Sequence, residues 1–223
     1  MQNLSDTYNA LSRQVASSDA RLIAVTKTHP VEKIRELYEL GHRDFGENRV
    51  SELVEKHEQL PKDINWHFIG HLQRNKVKNV VPIVSLIHSG DSLRLLRELD
   101  KRSDDSRTDV LLQYHIADEE SKYGLTRESG QQLLASIQED PLQHVRIVGV
   151  MGMATYTDDA EQVAGEFRTL HEIFSDLKTN HFQYDPAFTE ISMGMSGDYE
   201  IALQQGSTLV RIGSKLFGER PTN

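Results

Sequence analysis

A lysine in this sequence stands where a positive charge is unusual, at the end of a run of apolar residues. Lys27 follows residues 22–25 (Leu-Ile-Ala-Val), which predict a short strand buried on both faces. A lysine at such a strand end ordinarily extends its amine to solvent. When the amine is desolvated instead, it can lose its proton and attack a carbonyl group. Lys27 is therefore either an ordinary strand-end lysine or a candidate Schiff-base lysine.

Two glycine-containing loops near the end of the sequence have the composition of a phosphate site. Residues 192–198 contain two glycines, which let backbone N–H groups approach an anion closely, and the hydroxyl of Ser196. Gly213 and Ser214 open a predicted helix, whose N-terminus favours an anion. Either loop alone could be a tight turn, but barrels often bind phosphate with the loops after strands seven and eight. A phosphate site opposite Lys27 fits pyridoxal phosphate, or a sugar phosphate in a lysine-dependent aldolase.

Arg211 refines that choice. It lies between apolar residues on the last predicted strand, so we expect its side chain to point inward. An inward arginine can pair with a carboxylate for structural reasons alone, or it can donate a hydrogen bond to the pyridine nitrogen of pyridoxal phosphate. Because arginine keeps its proton, that nitrogen would stay unprotonated and the ring would be a weaker electron sink.

These residues are positioned by strand-like and helix-like segments that alternate along the chain. Helical patterns cover residues 3–16, 31–40, 92–99, 127–138 and 159–178. The predicted strands are residues 22–26, 43–45, 66–69, 84–88, 109–116, 146–151, 188–193 and 208–212. This order predicts an α/β protein with a single (β/α)8 TIM barrel, in which the residues after each strand meet at one mouth. A doubly wound open sheet is the alternative, but no Gly-x-Gly-x-x-Gly sequence follows the first strand.

Length and composition limit the possible classes of protein. The chain has 223 residues, which suits one barrel, so we expect a single domain over residues 1–223. It contains no cysteine, which excludes disulfides, thiolate catalysis and cysteine-ligated metals. The net charge of −9 argues against nucleic-acid and anionic-membrane partners. No secretory signal and no membrane span are evident, so we predict a cytoplasmic protein.

Two histidines have a spacing that invites comparison with metal sites. His67 and His71 are four residues apart, which on a helix is metal-ligand spacing, but here they bracket the end of a predicted strand. Their side chains should therefore point in different directions. We expect imidazoles that hydrogen-bond to the backbone, and no metal site.

Seven motifs, spread in order over residues 22–218, resemble the pyridoxal phosphate homeostasis protein family. They lie at residues 24–28, 44–48, 66–76, 88–92, 119–125, 192–200 and 210–218. The first reads Ala-Val-Thr-Lys-Thr, the second Asp-Phe-Gly-Glu-Asn, and the sixth begins Ser-Met-Gly-Met-Ser-Gly-Asp. Any one motif is weak, but the set covers nearly the whole chain and is highly specific. The departures from the family pattern, such as Arg49 and His115, leave the lysine, the arginine and the two loops in place.

The resemblance implies a barrel like the N-terminal domain of alanine racemase, which is the third fold type of pyridoxal-phosphate proteins. It implies that pyridoxal 5'-phosphate (PLP) forms an internal aldimine with Lys27. The phosphate would be held around Ser196, Gly213 and Ser214, and Arg211 would face the pyridine nitrogen. The complete set of cofactor-binding residues implied by the resemblance is Lys27, Asn48, Met153, Ser196, Arg211, Gly213 and Ser214.

Members of that family hold and hand over PLP with little or no turnover. The resemblance therefore implies a carrier or regulator in intracellular PLP homeostasis, with PLP-dependent apo-enzymes as partners, and a monomer or weak homodimer. An amino-acid racemase is one alternative, but racemisation needs a second acid/base on the other face of the cofactor. We expect no second domain to supply it, and Tyr156, Tyr199 or His71 could replace it only by coincidence. A lysine-dependent sugar-phosphate aldolase is the other alternative, and it would not explain Arg211.

Overall fold

The strands of this protein close into a barrel. The computed structural model describes residues 3–103, 107–118 and 123–218. Eight parallel strands are paired in sequence order, and the eighth pairs with the first, as predicted for a (β/α)8 barrel. The strands are β1 (Arg21–Val25), β2 (Asp44–Glu47), β3 (Asn65–Phe68), β4 (Val84–Gly90), β5 (Thr108–Gln113), β6 (Val145–Met151), β7 (Glu190–Ser192) and β8 (Leu209–Ile212).

Helices cover the outside of the barrel. They are α1 (Leu4–Ala16), α2 (Val31–Glu39), α3 (Val50–Gln59), α4 (Val77–Val80), α5 (Leu93–Arg102), α6 (Arg127–Glu139), α7 (Ala160–Asn180), α8 (Tyr199–Gln204) and α9 (Ser214–Phe217), with a 3₁₀ turn at Arg74–Lys76. Within the described residues, none of these helices is both long and apolar enough to cross a membrane. The five predicted helical patterns are all present as helices, whereas α3, α4 and α8 were not predicted.

The predicted limits of the fifth strand were wrong at its C-terminal end. The strand ends at Gln113 instead of residue 116. Tyr114 makes only an isolated bridge with Leu125, and the N–H of His115 donates to the carbonyl of Leu125. The apolar pattern continued past the strand because Tyr114 is buried beyond the sheet. Residues 119–122 of the fifth motif lie outside the described residues.

The barrel has two different cores. Alternate strand residues such as Trp66 and Phe68 point outward and pack against the helices, which forms the larger core. A smaller apolar cluster fills part of the interior: Ile23, Leu86, Leu111, Val148, Met151 and Leu209. The remaining interior positions include buried polar side chains, among them His67, His88 and Arg211. This polar interior carries the features of the site described next.

Candidate cofactor site

Lys27 lies in a strained turn just after β1. The turn is closed by the N–H of His29, which donates to the carbonyl of Thr26 at 3.0 Å. Thr28 has a φ of 67°, a left-handed conformation that is unfavourable for a β-branched residue. Such a conformation costs on the order of 1–3 kcal/mol and persists only where neighbouring contacts impose it. One such contact is the N–H of Thr28, which donates to Oε2 of Glu52 at 2.7 Å.

A buried ion-pair network underlies this turn and was not predicted from the sequence. Nζ of Lys56 donates to the carbonyl of Thr26 at 2.8 Å, to Oε1 of Glu47 at 2.6 Å and to Oε2 of Glu52 at 3.1 Å. Lys56 and Glu47 are both buried. The network thereby ties β2 and α3 to the residue after β1, which directly precedes Lys27. The i,i+4 spacing of Glu52 and Lys56 was the signal available in the sequence.

Burial makes this network sensitive to the loss of any partner. Burial raises the pKa of Glu47, and the charge and hydrogen bond of Lys56 only partly offset that effect. Oε2 of Glu47 has no hydrogen-bond partner among the described residues. The pKa of Glu52 is raised by burial, but hydrogen bonds from Thr28 and Lys56 outweigh this and leave it below its ordinary value. Lys56 is therefore the charge that makes the ionised form of Glu47 tolerable in the core.

The loops after β7 and β8 are joined to each other, as the predicted phosphate site requires. Oγ of Ser196 accepts hydrogen bonds from the N–H groups of Gly213 at 3.2 Å and Lys215 at 3.3 Å. Ser214 begins the short helix α9, as predicted. Gly194, with a φ of 93°, is a position where only glycine fits, because a Cβ atom there would lie 2.6 Å from the Cβ of Ala202. The turn can therefore pack closely against α8.

The same loops are packed against the lysine turn. A Cβ atom on Gly213 would lie 3.4 Å from the Cβ of Val25, the last residue of β1. The ring of His29 packs against the ring of Phe217 in α9, with centroids 4.4 Å apart and the ring planes tilted by 33°. Lys27, Ser196, Gly213 and Ser214 thus lie around the same mouth of the barrel.

Arg211 points into the barrel, as predicted, and only 4% of it is exposed. One terminal NH₂ group donates to Oγ of Ser192, and the other donates to the carbonyl of Gly152 at 3.1 Å. Its hydrogen-bond partners in the described part of the chain are thus a hydroxyl and a carbonyl, and not a carboxylate. Burial lowers the pKa of Arg211 to about 10, so it remains a cation at neutral pH.

Asn48 and Met153 lie after β2 and β6 at this mouth. Oδ1 of Asn48 is buried and has no hydrogen-bond partner among the described residues. Gly70 allows close packing here, because a Cβ atom on it would lie 2.3 Å from the backbone oxygen of Asn48. Met153 packs on the interior apolar cluster. Asn48 also lines a cavity of about 620 Å³ beside α3, which the other six predicted residues do not line.

The prediction that His67 hydrogen-bonds to the backbone was wrong. Its Nε2 lies 3.1 Å from Oδ1 of Asp44, and its Nδ1 lies 3.0 Å from Nε2 of His88. Both partners are side chains because β3 turns His67 into the polar barrel interior. His71 instead lies 3.2 Å from Asp91 and stacks on the ring of Tyr123. The described residues contain no group of three side chains that could hold a metal.

Comparison with known proteins identifies the family. The profile described as "Alanine racemase, N-terminal domain" matches residues 1–221. The pyridoxal phosphate homeostasis protein of Aquifex aeolicus is 42% identical over 204 residues, which cover 90% of this chain and 87% of that protein. The chain therefore belongs to the pyridoxal phosphate homeostasis protein family. The resemblance derived from the seven motifs is thereby confirmed.

Solved structures agree with this assignment. PipY of Synechococcus elongatus is 34% identical, and the match covers 97% of this chain and 100% of PipY. The TM-score is 0.89 for the PipY structure without PLP and 0.85 for the structure with PLP bound. D-threonine aldolase of Filomicrobium marinum has a TM-score of 0.75 at 14% identity, with 96% of this chain and 60% of that chain covered. That last likeness shows a shared fold alone.

The mouth of this family member has groups that suit PLP. Lys27 offers a primary amine, and Arg211 has N–H groups beyond the two that bind Ser192 and Gly152. The orphaned Oδ1 of Asn48 is a buried acceptor of the kind that a ligand satisfies. The linked loops at Ser196 offer a hydroxyl and the start of a helix to a phosphate. The residues present therefore fit the cofactor chemically.

His88 should make the stability of the fold depend on pH. It is completely buried, and burial, together with the charges of Arg211 and Arg21, lowers its pKa well below 6.5. The unfolded chain binds a proton here below about pH 6.5 and the folded chain does not, so stability is lost as the pH falls. We expect His88→Gln to reduce the slope of unfolding free energy against pH, between pH 7 and 5.5, by up to about 1.4 kcal/mol per pH unit. Urea titrations of both proteins measure this, and equal slopes would contradict the burial argument.

Proposed function

We propose that this chain holds PLP covalently on Lys27 at the C-terminal mouth of the barrel and acts in PLP homeostasis as a carrier or regulator. The observation that carries the proposal is the meeting of the Lys27 turn with the linked loops at Ser196 and Gly213. The relatives named for PLP homeostasis and the PLP-bound structure of PipY support the same cofactor. We propose one PLP-binding domain over residues 1–223.

Each residue at the mouth has a proposed task. PLP, when bound, supplies an aldehyde that condenses with an amine and a ring that can accept electrons. Lys27 supplies the amine, while Ser196, Gly213 and Ser214 bind the phosphate. Arg211 donates a hydrogen bond to the ring nitrogen and keeps it without a proton, which weakens the ring as an electron sink. Asn48 and Met153 line the pocket.

Holding the cofactor, with little or no turnover, is the role that the surroundings of this mouth favour. The hydroxyl of Tyr199 is engaged with Gln14 and Glu200, each at 2.8 Å, outside the barrel. Tyr156 is 98% exposed, and His71 is paired with Asp91. The engagement of Tyr199 and His71 with other side chains supports a carrier that lacks the second acid/base of a racemase. We therefore propose transfer of PLP to apo-enzymes, in the cytoplasm, by a monomer or weak homodimer without nucleic-acid or membrane partners.

A visible absorption spectrum tests this function. The purified protein is titrated with PLP, and pyridoxal, which lacks the phosphate, serves as the control ligand. We expect a visible band that saturates with PLP at one equivalent and that appears only weakly with pyridoxal. A protein that gives no band with PLP would contradict the proposal. An amino-acid racemase assay on the loaded protein then separates holding from catalysis, because measurable racemisation would contradict the carrier role.

Arg211→Met should weaken PLP binding while leaving a folded barrel. The variant removes the donor to the ring nitrogen, and a hydrogen bond from a charged group contributes about 1.5–3 kcal/mol, so affinity should fall about tenfold or more. Arg146→Met is the matched control, because Arg146 also points into the barrel but pairs with Asp109 at the opposite mouth. Equilibrium titration monitored by absorption measures both. If Arg211→Met and Arg146→Met bound PLP with equal affinity, the role of Arg211 would be structural only.

A further inference from the structure

Five side chains form one continuous hydrogen-bonded line through the barrel, which we call the polar chain. From Arg211 it runs to Oγ of Ser192, which lies 2.8 Å from Nδ1 of His88. Nε2 of His88 lies 3.0 Å from Nδ1 of His67, and Nε2 of His67 lies 3.1 Å from Oδ1 of Asp44. The three inner members are fully or almost fully buried. The polar chain therefore connects the cofactor mouth to the opposite end of the barrel.

With both imidazoles in their neutral form, the chemistry of the two ends fixes the direction of every hydrogen bond in the polar chain. Arg211 can only donate, and an ionised Asp44 can only accept. His67 must then carry its proton on Nε2, which leaves Nδ1 as the acceptor for a proton on Nε2 of His88. Nδ1 of His88 in turn accepts from the hydroxyl of Ser192, whose oxygen accepts from Arg211. All the bonds point from the guanidinium to the carboxylate, an arrangement in which successive bonds polarise one another.

Asp44 lies at the far end of the barrel in a second cavity. This cavity, of about 360 Å³, is lined by Asp44 and His67 and by two arginines with carboxylate partners, Arg21 and Arg146. Burial raises the pKa of Asp44, but the hydrogen bond from His67 and the charge of Arg21 outweigh it, so the pKa lies below its ordinary value and the carboxylate is ionised at neutral pH. Asp44 is thus a permanent acceptor at neutral pH.

We propose that Asp44 is a positioning residue for the cofactor, acting through His67, His88 and Ser192 on the orientation of Arg211. This inference rests on the proposed function of the opposite mouth. No carboxylate is among the hydrogen-bond partners of Arg211 in the described part of the chain, so the polar chain is its hydrogen-bonded connection to a negative charge. Removal of that charge at the far mouth should loosen the guanidinium and change its hydrogen bond to the ring nitrogen.

Asp109 provides a matched control for Asp44. Both carboxylates line the far cavity, and the side chains of Asp109 and Asp44 are 25% and 21% exposed, respectively. Asp109 binds Arg146 through two bonds of 2.8 and 2.7 Å and takes no part in the polar chain. If both carboxylates contributed only to the stability of the fold, Asp109→Asn would change PLP affinity and the visible band at least as much as Asp44→Asn.

The experiment measures PLP affinity and the position of the visible band in Asp44→Asn, Asp109→Asn and the wild type. We expect Asp44→Asn to weaken affinity at least about threefold, within the range typical of mutations along a coupled network, and to move the band. Asp109→Asn should change neither. In a Ser192→Ala background, which breaks the polar chain, Asp44→Asn should have no further effect. The proposal would be overturned if Asp44→Asn lowered PLP affinity as much in the Ser192→Ala background as in the wild type. It would also be overturned if Asp44→Asn and Asp109→Asn had equal effects on affinity and on the band.

A second measurement needs no cofactor. Long-range ¹H–¹⁵N correlation spectra of the PLP-free protein report which nitrogen of each imidazole carries the proton. We expect these spectra to place the imidazole proton on Nε2 in both His67 and His88. A proton on Nδ1 of either ring would overturn the directional arrangement even if Asp44→Asn fails to fold. A wild type that forms no band with PLP would instead overturn the proposed function, so the two failures are distinguishable.

Discussion

Lys27→Ala protein is expected to form no visible band with PLP. The amine of Lys27 is the nucleophile in the proposed covalent attachment, and an alanine side chain has no amine to replace it. Borohydride reduction should fix the mass of the cofactor to the peptide containing Lys27 in the wild type, and to no peptide in the variant. Absorption spectroscopy and peptide mass spectrometry measure these two results.

The controls for this variant follow from its position in the structure. Lys27 lies in a half-buried turn outside β1, so the loss of its side chain should leave the fold and the thermal midpoint nearly unchanged. Lys33→Ala, a change of the same type on the exposed face of α2, should keep the band. Cofactor that remains fixed to the Lys27→Ala protein after reduction would show that another lysine carries PLP.

Lys56→Met should destabilise the fold far more than the loss of a surface ion pair. It removes the three hydrogen bonds of Nζ and leaves Glu47 as a buried carboxylate without its cation. Breaking a buried pair in this way costs about 3–5 kcal/mol, because one charge remains in the core uncompensated. The free energy of unfolding, measured by urea titration, should fall by that amount. The strained turn at Thr28 would also lose support, so PLP affinity should fall as well.

A double variant separates the charge effect from the packing effect. When both members of a buried pair become apolar, the loss is often small, so Glu47→Met with Lys56→Met should regain most of the lost stability. Arg127→Met is the surface control, since Arg127 pairs with Glu172 and Asp176 on exposed faces and should change stability by less than about 1 kcal/mol. A Lys56→Met protein as stable as the surface control would show that Lys56 does not neutralise Glu47.

The sequence by itself determined the order of the strands and the end of the barrel at which the predicted cofactor residues lie. Strand-like and helix-like segments alternate, and in a parallel barrel the C-terminal ends of all strands lie at one mouth. Lys27, Arg211 and the loops at Ser196 and Gly213 could therefore be assigned to one place without knowledge of any side-chain contact. These assignments depend on local periodicity and on chain order, which a single sequence contains.

Only the tertiary structure decided which side chains meet inside the barrel. His67 and His88 are 21 residues apart, and His88 and Ser192 are 104 residues apart, so neither contact has a local pattern. The buried partnership of Lys56 with Glu47 likewise depends on how α3 packs against β2. The expected backbone partner of His67 was wrong for the same reason. Strand register and closure of the barrel place these polar groups together, and the need to satisfy buried donors and acceptors then selects their partners.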